Sequence, residues 1–115
     1  MTEIERKFLL EELPDNLPIS SEDGIEQGYL AIGDDQVRLR KRGDRHLITV
    51  KRGHGMVRQE VEVPLAQESF EQLWPLTEGR RLEKTRLTTS IGEHTAEIDV
   101  YQGPLAGLKT VEVEF

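Results

Sequence analysis

Glu3-Ile4-Glu5-Arg6-Lys7 opens the chain with charged side chains two residues apart. On a β-strand successive side chains alternate faces, so Glu3, Glu5 and Lys7 share one. Two carboxylates and an ammonium crowded on one face do little to stabilise a fold. They do suit one wall of a site that holds a metal cation and an anion. The reading of the chain turns on whether other segments supply the remaining walls.

Working outward, the same spacing recurs in segment after segment. Arg38 and Arg40 flank Leu39, Thr49 and Lys51 flank Val50, and Arg58, Glu60 and Glu62 alternate with Gln59 and Val61. Lys84 and Arg86 flank Thr85, Glu97 and Asp99 flank Ile98, and Glu112 and Glu114 flank Val113. An antiparallel sheet with one wet and one apolar face also shows charges at period two. Long wet faces, however, usually mix in Ser, Thr, Gln and Asn. Here the faces are almost all charged, with Arg and Lys on the middle segments and Glu and Asp on the outer ones.

The spacing predicts strands over Glu3–Glu11, Glu26–Ile32, Gln36–Arg42, His46–Arg52, Val57–Val63, Arg81–Thr89, His94–Tyr101 and Leu108–Phe115. Gly33-Asp34-Asp35, Gly43-Asp44, Gly53-His54-Gly55 and Gly92-Glu93 are turn signals, and connections this short favour antiparallel hairpins. Pro14–Asp23 reads as a loop. Ala66–Trp74 places Phe70, Leu73 and Trp74 at helical spacing, and Pro75 should end that helix. The expected fold is a mainly β, eight-stranded antiparallel closed tunnel or barrel, with a charged interior and one short helix. Residues 1–115 form one domain in this reading.

Composition narrows the function. The net charge of -7 argues against nucleic-acid partners and acidic membranes. There is no cysteine, which excludes disulfides and thiolate metal sites. No apolar run is long enough for a membrane span, so a cytoplasmic location is expected. The net figure conceals segregation: Arg38, Arg40, Lys41, Arg42, Arg45, Lys51, Arg52 and Arg58 cluster mid-chain, and Arg80, Arg81, Lys84 and Arg86 follow. Acidic ends and basic middle segments fit a pocket for a metal-chelated polyphosphate, because guanidinium groups grip phosphate oxygens bidentately and carboxylates suit hard cations. No Gly-rich phosphate loop is present, so side chains would do the holding. His46, His54 and His94 share no ligand spacing, and Arg42-Gly43-Asp44 reads as a hairpin turn.

These motifs, taken in order, resemble the CYTH domain, or triphosphate tunnel metalloenzyme, superfamily. Glu3-Ile4-Glu5-Arg6-Lys7 is similar to its Glu-x-Glu-x-Lys signature. Gln27-Gly28-Tyr29, Val37-Arg38-Leu39-Arg40, Thr49-Val50-Lys51 and Arg58-Gln59-Glu60-Val61-Glu62 resemble its second to fifth strands. Glu78-Gly79-Arg80-Arg81-Leu82-Glu83-Lys84-Thr85-Arg86, Glu97-Ile98-Asp99-Val100 and Val111-Glu112-Val113-Glu114-Phe115 resemble the rest, most closely as in bacterial tripolyphosphatases. The resemblance implies metal ligation (Mg²⁺ or Mn²⁺) by Glu3, Glu5, Glu112 and Glu114. It implies phosphate contacts from Lys7, Arg38, Arg40, Lys51, Arg58, Lys84 and Arg86. Glu5, Glu60, Glu62 and Asp99 become the catalytic candidates, through a metal or an attacking water.

The expected activity is metal-dependent hydrolysis of tripolyphosphate or a related small-molecule triphosphate. The alternatives are a class IV-type adenylyl cyclase and a non-catalytic triphosphate- or polyphosphate-binding module. Family members run on past the last strand into a helical tail, whereas this chain stops at Phe115, which reads as a truncated or minimal form. Charges inside would turn Ile4, Leu39, Ile48, Val50, Val61, Ile98, Val111 and Val113 outward. An apolar exterior of that size predicts a homodimer.

Overall fold

The computed structural model describes residues 6–14, 16–53 and 58–114, together with the backbone of Glu5 but not its side chain. Glu3, Ile4, His54, Val57 and Phe115, which figure in the expectations above, lie outside the described residues.

The described residues form eight antiparallel strands and one short α-helix: β1 (Glu5–Leu9), β2 (Ile19–Ala31), β3 (Gln36–Arg42), β4 (Arg45–Arg52), β5 (Gln59–Pro64), α1 (Gln67–Leu73), β6 (Arg81–Ile91), β7 (His94–Gln102) and β8 (Lys109–Glu114). The hydrogen-bonded order is β1-β8-β7-β6-β2-β3-β4-β5. Among the described residues no ladder joins β5 to β1, so the sheet's hydrogen bonding is open at that point and not closed as expected. The segment Pro14–Asp23 is not wholly a loop, because β2 already begins at Ile19. Its polar run Ser20-Ser21-Glu22-Asp23 carries little strand signal of its own. Pairing against β6 overrides that weakness: Ser20 Oγ donates to the Thr88 carbonyl at 3.0 Å, and Thr89 Oγ1 donates to the Pro18 carbonyl at 2.9 Å.

The chain divides into two compact units, Met1–Gly24 with Glu83–Phe115, and Ile25–Leu82. The first holds β1, β8, β7, most of β6 and the start of β2. Its ladders pair Lys7 with Glu112, Glu112 with Glu97, and Asp99 with both Thr110 and Arg86. The alternation therefore puts Lys7, Glu112, Glu97, Asp99, Arg86 and Lys84 on one face. The other face carries the apolar core of Ala96, Ile98 and Val111, onto which Leu10, Leu17, Leu87, Val100 and Val113 pack. Ile98 and Val111, expected to lie uncovered, are buried because Leu10 and Leu17 cover them.

The second unit holds the rest of β2 with β3, β4, β5 and α1. Register places Gln27 opposite Arg40, Arg38 opposite Thr49, and Lys51 opposite Glu60, all on one face. Leu39, on the other face, is fully buried and also not outward. Covering comes from the helical segment. Phe70 of α1 is buried, stacks on Trp74 at 5.2 Å, and meets the edge of His46 on β4 at 4.8 Å. Pro75 ends α1 as expected, in a 3-10 turn over Trp74–Thr77. Thr77 sits so close to Gly28 of β2 that a Cβ there would stand 2.5 Å from Thr77 Oγ1. Only glycine admits that approach. Val50, Val61 and Val63 of this face stay exposed.

Both units use the same hairpin. Arg42 pairs with Arg45 across Gly43-Asp44, and Ile91 with His94 across Gly92-Glu93. Each loop has two residues with a positive φ at its glycine, 57° and 61°, which matches the twist of the flanking strands.

Candidate active site

The charged faces are not ordinary wet faces. In the second unit Arg40 is 9% exposed, Gln27 2% and Thr49 0%. Gln27 Oε1 accepts a 2.7 Å hydrogen bond from Arg40 Nε, and Thr49 Oγ1 donates to Glu62 at 2.8 Å. The ion pairs along this face are long: Arg38 to Glu60 at 3.6 Å and Arg40 to Glu62 at 3.9 Å. Arg38 Nε is buried and has no hydrogen-bond partner among the described residues. An unsatisfied buried N–H costs roughly 1–3 kcal/mol, which makes this donor, without an acceptor among the described residues, a candidate contact for a bound anion.

Beside it lies a cavity of about 240 Å³ lined by Gly33, Asp34, Gln36, Lys51, Gly53, Arg58, Gln59 and Glu60. Burial lowers the Lys51 ammonium below its ordinary value. The neighbouring charges of Arg38, Arg40 and Arg58 push the same way, and Glu60 opposes them. A lysine lowered by neighbouring cations marks a place with an excess of positive charge.

The first unit holds its cations differently. Asp99, buried with Lys84, accepts from Lys84 Nζ at 2.8 Å and from Arg86 Nε at 2.8 Å, with Arg86 NH2 at 3.1 Å. Arg86 also pairs with Glu97 at 3.2 Å. Burial alone would raise the Asp99 carboxyl. The hydrogen bonds from Arg86 and Lys84, with their charge, outweigh it and hold the group below the usual carboxylate range. The same hydrogen bond, against burial, raises Arg86.

The expected residues therefore fall into two sets. Arg38, Arg40, Lys51, Arg58, Glu60 and Glu62 share the face or cavity of the second unit. Lys7, Lys84, Arg86, Asp99 and Glu112 share the face of the first, where Glu5 is the register partner of Glu114. The carboxylates of Glu3 and Glu5 lie outside the described residues, and among the described residues no three metal-binding side chains gather. Gln27 and Thr49 also stand on the charged face of the second unit but are neutral, so charge carries no signal for them. The signal that finds them is their phase, since each stands on the charged face of a strand at a position too central to be wet.

The family model of the CYTH domain matches residues 1–115. This chain belongs to the CYTH domain family. It is 43% identical to an inorganic triphosphatase of Nitrosomonas europaea over an alignment of 122 positions, which covers all of this chain and 77% of that protein. A solved structure of an inorganic triphosphatase superposes with a TM-score of 0.76 at 41% identity, over 100% of this chain and 74% of the other. A conserved hypothetical protein from Pyrococcus furiosus shares the fold with a TM-score of 0.70 at 19% identity, over 99% of this chain and 78% of its own. Among the described residues no helix is long and apolar enough to cross a membrane.

Proposed function

We propose that this CYTH protein is an inorganic triphosphatase, and that the basic face of its second unit grips the phosphates. The observation that carries the reading is the buried, unpartnered Nε of Arg38 in a cluster with Arg40, Lys51 and Arg58. The 43% identity to a named inorganic triphosphatase supports it. Arg38 and Arg40 offer planar forks to phosphate oxygens, and Lys51 and Arg58 add charge from the cavity wall. Glu60, half-exposed beside Arg38 and lining the cavity, is the carboxylate suited to orient an attacking water. Glu62 is engaged by Thr49 and orients Arg40. Asp99, with both oxygens occupied by Lys84 and Arg86, acts by holding those two cations on the face that also bears Lys7.

The carboxylates fit a divalent cation by their donor chemistry. Glu112 and Glu97 are paired on one face, and Glu5 stands opposite Glu114. All-oxygen donors suit Mg²⁺ or Mn²⁺. Glu5, Glu112 and Glu114, with Glu3, would hold the ion. When bound it would neutralise charge on the substrate's oxygens.

Among the described residues the cavity lining contains no aromatic ring to stack an adenine, and the identity to an inorganic triphosphatase favours a bare triphosphate over a nucleotide. A homodimer through the exposed Val50, Val61 and Val63, and a cytoplasmic location with no nucleic-acid partner, complete the proposal. Phosphate release from tripolyphosphate, ATP and thiamine triphosphate, each with Mg²⁺, Mn²⁺ or Ca²⁺, tests it. Preferential release from tripolyphosphate is expected. Preference for ATP, or binding without release, would overturn it.

A further inference from the structure

We infer that Asp35 is a positioning residue for anion binding, joining two segments of the second unit's cavity wall through the Gly53 amide. The inference rests on the proposed triphosphatase reading, in which that cavity takes part of the substrate. Asp35 stands in the turn between β2 and β3, and Gly53 follows the end of β4. Asp35 Oδ1 accepts a hydrogen bond from the Gly53 N–H at 3.1 Å, and its Oδ2 lies 3.7 Å from Arg52 Nε. Gly33 and Asp34 of the same turn line the cavity, and so do Lys51 and Gly53.

The last rung of the β3–β4 ladder pairs Gln36 with Lys51. Gly53 then takes a φ of 88°, in the left-handed region that leaves strand geometry and that glycine adopts freely. Where the backbone ladder stops, the Asp35 side chain carries the connection onward. That join is needed because Lys51 lies among Arg38, Arg40 and Arg58, whose charges oppose its own. Like charges crowded at a strand end push it apart unless another contact fixes it. Asp35 is not among the lining side chains. It therefore holds the wall without setting its own negative charge against the anion. A wall fixed before the anion arrives leaves less ordering to be done on binding.

Two variants that lose the same charge isolate the hydrogen bond. In Asp35→Asn the amide oxygen still accepts from Gly53, whereas Asp35→Ala offers no acceptor. The lost charge, and the loss of the exposed pair with Arg52, are common to both. The KM for tripolyphosphate in Asp35→Ala is expected to exceed that in Asp35→Asn about three- to tenfold, the scale of one net hydrogen bond. The kcat of the two should agree within about twofold. Amide hydrogen exchange at Gly53 should be faster in Asp35→Ala than in Asp35→Asn. A residue that only stabilised the fold would shift the unfolding midpoint without separating KM from kcat.

Thermal unfolding reports whether both variants fold. If Asp35→Ala does not, Asp35→Asn decides: KM and Gly53 exchange at or below wild-type values support the join, and a rise in either overturns it. With tripolyphosphate turnover intact, equal KM in the two folded variants overturns the inference and leaves the triphosphatase reading standing. Should the wild type release no phosphate, that reading fails, and the inference is then read from binding. Tripolyphosphate should raise the melting temperature of Asp35→Asn more than that of Asp35→Ala. Equal shifts, or no shift in either, overturn it.

Discussion

The charged faces of the two units look alike in sequence and are built on opposite principles. In the first unit Lys84 and Arg86 are tied to a buried carboxylate by hydrogen bonds of 2.8 Å. In the second, Arg38 lies 3.6 Å from the Glu60 carboxylate and Arg40 3.9 Å from that of Glu62, and Arg40 Nε makes a short contact to the Gln27 amide. One set of cations is neutralised by the protein. In the other the distances to the Glu60 and Glu62 carboxylates are long, and a neutral amide takes the short contact. The difference teaches that counting alternating Arg and Lys residues does not identify anion-binding cations, whereas the charge and distance of their acceptors does.

The sharpest way to break this contrast is to remove one cation of the second unit. Arg38→Ala should lower kcat/KM for tripolyphosphate about 10²–10³-fold, the scale on which a preorganised transition-state donor acts. Its stability should hold or rise, because a buried unsatisfied donor leaves with the side chain. Steady-state kinetics together with urea unfolding check both halves. A large stability loss would show that Arg38 is held as tightly as Arg86.

The complementary break is Asp99→Asn. Removing one partner of a buried ion pair leaves uncompensated charge and costs roughly 3–5 kcal/mol. Lys84 and Arg86 both depend on this carboxylate, so the unfolding midpoint in urea should drop clearly. The pH dependence follows with its sign. The folded Asp99 carboxyl lies below its ordinary value. Its stabilisation is complete above the unfolded value, near pH 4, and is lost as pH falls through the lowered folded value. Asp99→Asn should therefore flatten the acid limb of the stability profile. An unchanged acid limb would count against the clamp.

The strands that carry the second unit's cations are braced by the covering on their other face. Thr77 Oγ1 donates to the Trp74 carbonyl at 2.7 Å and accepts from Arg81 Nε at 2.9 Å, while the Arg81 guanidinium lies 4.6 Å above the Trp74 ring. This brace rests on Gly28, next to Gln27 in the chain. Gly28→Ala would drive a methyl into Thr77 and should destabilise by about 1–3 kcal/mol. If the brace orients the strand that bears Gln27, kcat should fall by a few fold as well. Loss of stability with untouched kinetics would limit the brace to folding.

The period-two charges made the strands and both Gly-acid hairpins legible, because alternation and turn chemistry are local. Ser20–Asp23 was not legible as strand, because its pairing is supplied by β6. The burial of Leu39, Ile98 and Val111 was missed for a related reason: a face can be charged on one side and covered on the other, and the cover from Leu10, Leu17 and the α1 segment is tertiary. That Arg38, Arg40 and Lys51 share one face could be read from their spacing, which the strand register bears out. That Arg40 is held by an amide and Arg86 by a carboxylate could not, since both acceptors come from neighbouring strands whose register is invisible in the chain.

The subtlest test of the contrast uses Lys51. Its ammonium is lowered by burial and then by its cationic neighbours, so it loses its proton at a lower pH than the ordinary lysine value of 10.5. Between the lowered value and 10.5 the unfolded chain binds more protons than the folded one, and stability from this group rises with pH. Anion affinity must move the other way, because the deprotonated amine no longer attracts phosphate. The thermal stabilisation given by metal-free tripolyphosphate should weaken by a few fold in apparent affinity as pH climbs toward 10, while the ligand-free chain grows slightly more stable from this term. Lys51→Arg should keep its affinity through the same range, since a guanidinium holds its proton there. Parallel decline in wild type and Lys51→Arg would mean that the crowded cations of the second unit do not share the anion, and the contrast between the two faces would lose its functional meaning.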